Sequence, residues 1–132
     1  MPTLQFFTGA DAAAASAYLA AVDALLRLHV TTEELEAHLE LCGEFAVGHA
    51  YAAFIMSLAG ETDHAARRAS IARGARSGAT RRERQLIEIL LLSVDGDRRR
   101  AAALAAEHTE EFADDAAALT IIERWFPERE PT

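Results

Sequence analysis

Apolar residues recur along this chain at three- and four-residue spacing from end to end. No segment alternates apolar and polar positions with β-branched enrichment, so the pattern predicts an all-α fold of about seven helices. Asp11 is placed to cap a first helix whose Tyr18, Val22, Leu25, Leu26 and His29 make one stripe, with Asp23 and Arg27 as an i,i+4 pair. Thr31 and Glu34 read as a capping box for a short second helix with Leu35, Leu39 and Cys42 inside. Gly43 breaks it from a third helix over about 44–59, where Phe45, Tyr51, Phe54, Ile55, Met56 and Leu58 cover most of the circumference and predict extensive burial. Thr62 or Asp63 is expected to cap a fourth helix through about Ser77, with Ala65, Ala69, Ala72 and Ala75 as a small-residue seam.

After Gly78, Thr80 and Glu83 form a second capping box, opening a fifth helix so apolar (Leu86, Ile87, Ile89, Leu90, Leu91, Leu92, Val94) that it must be central. Asp95-Gly96-Asp97 combines a glycine stop with an N-cap and folds a sixth helix back, with Ala101, Leu104, Ala105, His108 and Phe112 inward. A last helix from about Asp115 carries Leu119, Ile122 and Phe126, and Pro127 and Pro131 end regular structure.

One unit is written twice, 36 residues apart. Phe54 to Gly60 aligns with Leu90 to Gly96, and Ala65, Ala66 and Ala69 align with Ala101, Ala102 and Ala105. A period in the thirties marks helical pairs that bury their apolar faces on a neighbour. The expected organisation is a single domain over 1–132: N-terminal helices 1–43, repeats 44–79 and 80–115, a capping helix 116–126 and a tail 127–132. Two units are fewer than the three or so usually needed, so flanking helices or a second subunit must cover the ends.

Residues 44–119 resemble tetratricopeptide-type helical pairs, with Gly60 and Gly96 at the turns and Ala65 and Ala101 at the small crossing position. The Trp-x-x-Leu-Gly start, the aromatic at Ala69 and Ala105, and the closing proline at Ser77 and Ala113 are replaced. A closer resemblance is to the tetratricopeptide repeat protein 38 family, through Thr80-x-Arg82-Glu83, Gly96, and the run from Phe112 to Leu119. The sequence departs from it at Leu86 and Ala113. The resemblance implies a short stacked solenoid with a binding role, and brings no catalytic residues.

Composition narrows the chemistry. All thirteen basic residues are arginine, so lysine-based Schiff-base chemistry and a phosphate-loop lysine are excluded. The net charge of −8 conceals a segregation, with ten arginines and four acids over 67–100 and acidic stretches on either side. Such a middle suits either an anion site or helices exchanging salt bridges. Net acidity and the lack of interleaved aromatics favour the second and argue against nucleic acid. Cys42 is the only cysteine, which fits a reducing, cytoplasmic setting, and no signal-like or membrane-spanning run is expected.

Candidate chemistry is sparse. His38, Cys42, His49 and Met56 fall at metal-compatible positions only if the helix runs through Gly43, and neither metal nor cofactor is expected. Glu33, Glu36 and Glu40 share a stripe, but a paired-carboxylate metal site would want Glu-x-x-His partners, and only Glu61-x-x-His64 has that spacing; that pair straddles a helix start and reads as capping and solvated residues. No nucleophile elbow or glycine-rich phosphate loop occurs. The leading expectation is a non-enzymatic module that binds a protein partner or a second copy, a homodimer, with Trp125 and Phe126 either at the contact or packed back onto helix six. One alternative is a small helical enzyme or ligand-binding protein with His49, Tyr51 and Glu88 around a pocket and His108 as the next candidate. A further alternative is anion binding through the arginines.

Overall fold

The structure, a computed structural model, describes residues 7–26 and 33–127. Among these it contains seven α-helices and no strand: α1 (Ala12–Leu26), α2 (Glu33–Leu39), α3 (Ala46–Leu58), α4 (Thr62–Ala75), α5 (Arg81–Val94), α6 (Arg98–Glu111) and α7 (Ala116–Trp125), with a short 3-10 turn at Arg76–Gly78 after α4. The all-α class is therefore as expected. The side chains of Leu25 and Leu26, and residues Arg27, His29, Thr31 and Pro131, lie outside the described residues, so the end of the first stripe, the Asp23–Arg27 pair and the first capping box do too.

The caps follow local chemistry where a short acceptor stands at the turn. Asp11 Oδ1 accepts from Ala14 N at 2.8 Å, Thr80 and Glu83 form the full reciprocal box, Asp97 accepts from Arg100 N, and Asp115 accepts from Ala118 N. The cap of α4 differs from expectation. Gly60 and Gly96 both turn the chain with positive φ (83° and 85°), and in each repeat the next residue becomes the N-cap. In the second copy that residue is Asp97, which bonds back; in the first it is Glu61, which makes no side-chain cap, so Thr62 and Asp63 fall inside the helix.

The repeat corresponds to two hairpins, α3 with α4 and α5 with α6, and the first helices of the two pairs pack side by side. α3 is the centre. From Ala46 to Ile55 every residue is buried, although Leu58, expected inside, is half exposed past the end of the core. Ala65, Ala69 and Ala72 line the seam on which α4 approaches, and Ala101 and Ala105 do the same for α6. Leu104 and Phe112 are only half-buried.

The remaining helices cover the other side. Tyr18 of α1 meets Phe45 and Tyr51 edge-on at 5.8 and 5.5 Å, and the Tyr51 hydroxyl donates to the Ala21 carbonyl at 3.1 Å. Trp125, at the end of α7, lies edge-on against Phe54 of α3 at 5.6 Å. α1 also packs on α7. The stack is thus closed by contact between its first and last helices, a departure from an open solenoid, in which each unit touches only its sequence neighbours.

Candidate functional site

The chemistry-bearing side chains collect in two internal clusters. The first is centred on Arg68 of α4, 5% exposed, whose aliphatic stem passes the alanine seam and delivers the guanidinium to the junction of α2 and α3. Its Nη2 donates to Glu36 of α2 at 2.6 Å and to Glu40, just past the end of α2, at 2.7 Å, and its Nη1 donates to His49 Nδ1 at 3.3 Å. A guanidinium has no lone pair to offer, so Nδ1 is an acceptor and the ring proton sits on Nε2, which donates to the Cys42 carbonyl at 3.2 Å. Burial above all, with the adjacent Arg68 charge, holds His49 below the usual histidine range, against the pull of the Cys42 hydrogen bond. The same Arg68 hydrogen bond and charge hold the Glu40 carboxyl low.

The second cluster joins α5, α6 and α7. His108, fully buried, has Nε2 at 3.0 Å from Asp115 Oδ2 and Nδ1 at 2.9 Å from Gln85 Oε1. The Gln85 amide is oriented by Glu111, which accepts from its NH2 at 3.2 Å and from Arg81 at 2.6 and 3.0 Å. Arg82 approaches the same Asp115 carboxylate at 3.3 Å. Acceptor oxygens therefore face both ring nitrogens of His108, whereas His49 faces one donor and one acceptor. An open polar cleft of about 370 Å³, lined by Arg81, Gln85, Glu107, Glu110 and Glu111, lies outside this chain of bonds.

The structure does not gather the residues of the expected pocket. His49 and Tyr51 point to different neighbours on α3, the first to Arg68 and Cys42, the second to α1. Glu88 stands at the surface, 3.4 Å from Arg76. The pocket around these three residues is corrected on that ground: two neighbours two apart on a helix face away from each other. Nor do His38, Cys42, His49 and Met56 share a site. The helix breaks at Gly43, His38 borders an open groove between α1 and α2 of about 340 Å³, and His49 presents its ring proton to a carbonyl. Among the described residues no group of three or more His, Cys, Asp or Glu side chains could hold a metal ion. Glu61 and His64 are exposed.

Trp125 and Phe126 are used inside the fold. Phe126 is fully buried under the Arg98 guanidinium, which also donates to the Trp125 carbonyl, so a surface contact through Phe126 gives way to a core role. Trp125 is half-buried against Phe54. Much of the arginine-rich middle disperses into pairs: Arg73 with Asp95, Arg76 with Glu88, Arg81 with Glu111, Arg100 with Asp97, beside those of Arg68 and Arg82. That is the arrangement of helices exchanging salt bridges.

Sequence reasoning missed Arg68 as a hub and Glu36 as its half-buried partner. The available signal was the i,i+4 spacing of Glu36 and Glu40, which gives one arginine two acceptors on one helix face. No helix among the described residues is long and apolar enough to cross a membrane. Comparison with known protein families, curated proteins and solved structures finds no match for this chain.

Proposed function

We propose that the chain is a non-enzymatic helical-repeat module, related in design to tetratricopeptide-type arrays, that binds a protein partner or a second copy of itself. The observation that carries this reading is the use made of the polar side chains. His49, Arg68, Gln85, His108 and Asp115 each hold one helix to another, and the duplicated hairpins they brace form a rigid scaffold. Scaffolds of stacked helical pairs act through their surfaces. The arginine pairs argue in the same direction, because a guanidinium neutralised by a neighbouring carboxylate is a poor anion receptor.

Light scattering from dilute to concentrated solution, together with native mass spectrometry of protein purified from its own source, tests the proposal. A dimer mass or a stoichiometric protein partner is the expected result. A strict monomer that retains a small molecule and no protein would overturn it in favour of a ligand-binding protein.

A further inference from the structure

Three residues ahead of α1 make a set of contacts that belongs to neither repeat. The Phe7 ring is buried edge-on against Tyr18 at 5.0 Å and beside Phe45 at 5.9 Å, with the Arg82 guanidinium 5.4 Å from its centre. Thr8 donates through its backbone N–H to Glu83 Oε2 at 2.7 Å and through its hydroxyl to Glu83 Oε1 at 2.6 Å. Gly9 has φ +81°, and a Cβ there would lie 2.2 Å from the Glu44 carbonyl oxygen. This short stretch therefore touches α1, the loop before α3 and the first turn of α5 together.

Beneath it lies an unsettled polar group. The Tyr18 hydroxyl is fully buried and has no hydrogen-bond partner among the described residues. Such a group destabilises a dry interior and is relieved by water. Asp115, Arg82 and Glu83 stand close enough for their charges to act on it. The Asp115–His108 pair continues from there into the second cluster.

We infer that Phe7-Thr8-Gly9 is a latch: a strap that opens locally, releasing Thr8 from Glu83 and admitting water to Tyr18, Arg82 and Asp115 while the stacked hairpins stay folded. The strap contains no helix, so its departure breaks no helical ladder. Its polar bonds converge on one carboxylate, and that carboxylate keeps the Thr80 N–H, at 2.9 Å, when the strap leaves. Helix α5 therefore remains capped in the open form. Burial of Phe7 and its contact with Arg82 favour the closed form; hydration of the Tyr18 hydroxyl favours the open one. Segments held by so few side chains open well below the free energy of global unfolding.

Native-state hydrogen exchange read by mass spectrometry tests this on the full chain, comparing wild type with Thr8→Val, Thr8→Ser and Gly9→Ala. Thr8→Val keeps the shape and removes the hydroxyl bond to a carboxylate, so exchange over residues 8–10, where the N–H of residue 8 is bonded to Glu83 only in the closed form, is expected to quicken about tenfold or more, with residues 80–86 of the still-capped α5 and 65–73 of α4 unchanged. Thr8→Ser keeps the hydroxyl and stays close to wild type. Gly9→Ala, which cannot seat the strap, quickens the same region further, and tetranitromethane then nitrates Tyr18 faster while Tyr51 stays protected. Unchanged exchange over 8–10 in Thr8→Val overturns the latch. So does a parallel rise over 65–73, which would make the strap an ordinary part of one cooperative core. Should Gly9→Ala fail to fold, the contrast between Val and Ser at position 8 decides alone.

Discussion

Replacing Arg68 with methionine isolates the hub that fastens α2 to α3 and α4. Methionine keeps the aliphatic stem against the alanine seam and removes only the guanidinium. Three interactions are lost, and they differ in weight. The Glu36 bond joins a 6% exposed cation to a 26% exposed carboxylate, so it lies near the range of about 1.5–3 kcal/mol for hydrogen bonds to charged groups. His49 Nδ1 loses its donor in a buried site, a desolvation cost of about 1 kcal/mol or more. Glu40, 59% exposed, regains water on release and adds least. The sum is about 3 kcal/mol, at the lower end of the about 3–5 kcal/mol seen when one partner of a fully buried ion pair is removed. Urea unfolding followed by far-ultraviolet circular dichroism measures it, and the slope against urea should be unchanged. Double-mutant cycles with Glu36→Gln and Glu40→Gln should give the larger coupling to Glu36. An Arg68→Met protein within about 0.5 kcal/mol of wild type, the usual span of neutral surface changes, would refute the hub. A coupling to Glu40 as large as that to Glu36 would refute the weighting.

Other consequences are as direct. Because the folded pKa of His49 is depressed, its neutral ring contributes stability in full above the ordinary value of 6.5, and that contribution is lost as pH falls through the lower folded value. His49→Gln, with no proton to gain, should flatten this part of the acid limb in urea titrations at a series of pH values. Tyr18 and Tyr51 are both raised, chiefly by burial, so phenolate absorbance should show neither ionising near pH 10 until the chain unfolds in a single step. The helical glycines should behave oppositely. Gly74→Ala meets nothing within 4 Å and should stabilise α4 by about 0.5–1 kcal/mol, whereas Gly48→Ala sets a Cβ 2.7 Å from the Phe45 ring and 2.9 Å from Leu39 and should cost about 1–3 kcal/mol. Thermal melts of the two variants, shifted in opposite directions, check the pair.

The helices, the turns at Gly60 and Gly96 and the Thr80–Glu83 box were legible because each depends on residues within about one helical turn. The α4 cap departs from expectation for a reason also local: the glycine places the cap, and Glu61 makes no side-chain bond back where Asp97 does. What the sequence could not display is pairing at long range. Thr8 meets Glu83 across 75 positions, and Arg68 meets Glu36 across 32. Glu83 carries both kinds of information, since its spacing from Thr80 announces a cap while nothing near it announces Thr8. His49, Tyr51 and Glu88 do not converge, because polarity along a helix does not say where each group points, and each has a different neighbour. Trp125 and Phe126 were likewise apolar residues near a chain end, and α7 turned them inward.

The contact between α1 and α7 closes the described stack on itself. A linear array can gain or lose a hairpin at little cost beyond one interface, and its units can melt one after another. Here a third hairpin inserted after α6 would carry α7 away from α1 and from Phe54, and deleting one would leave the two end helices no common floor. The two-hairpin stack is therefore a closed unit. Its first and last helices have to be in place together, so most of the chain must leave the ribosome before the native packing of either can be completed.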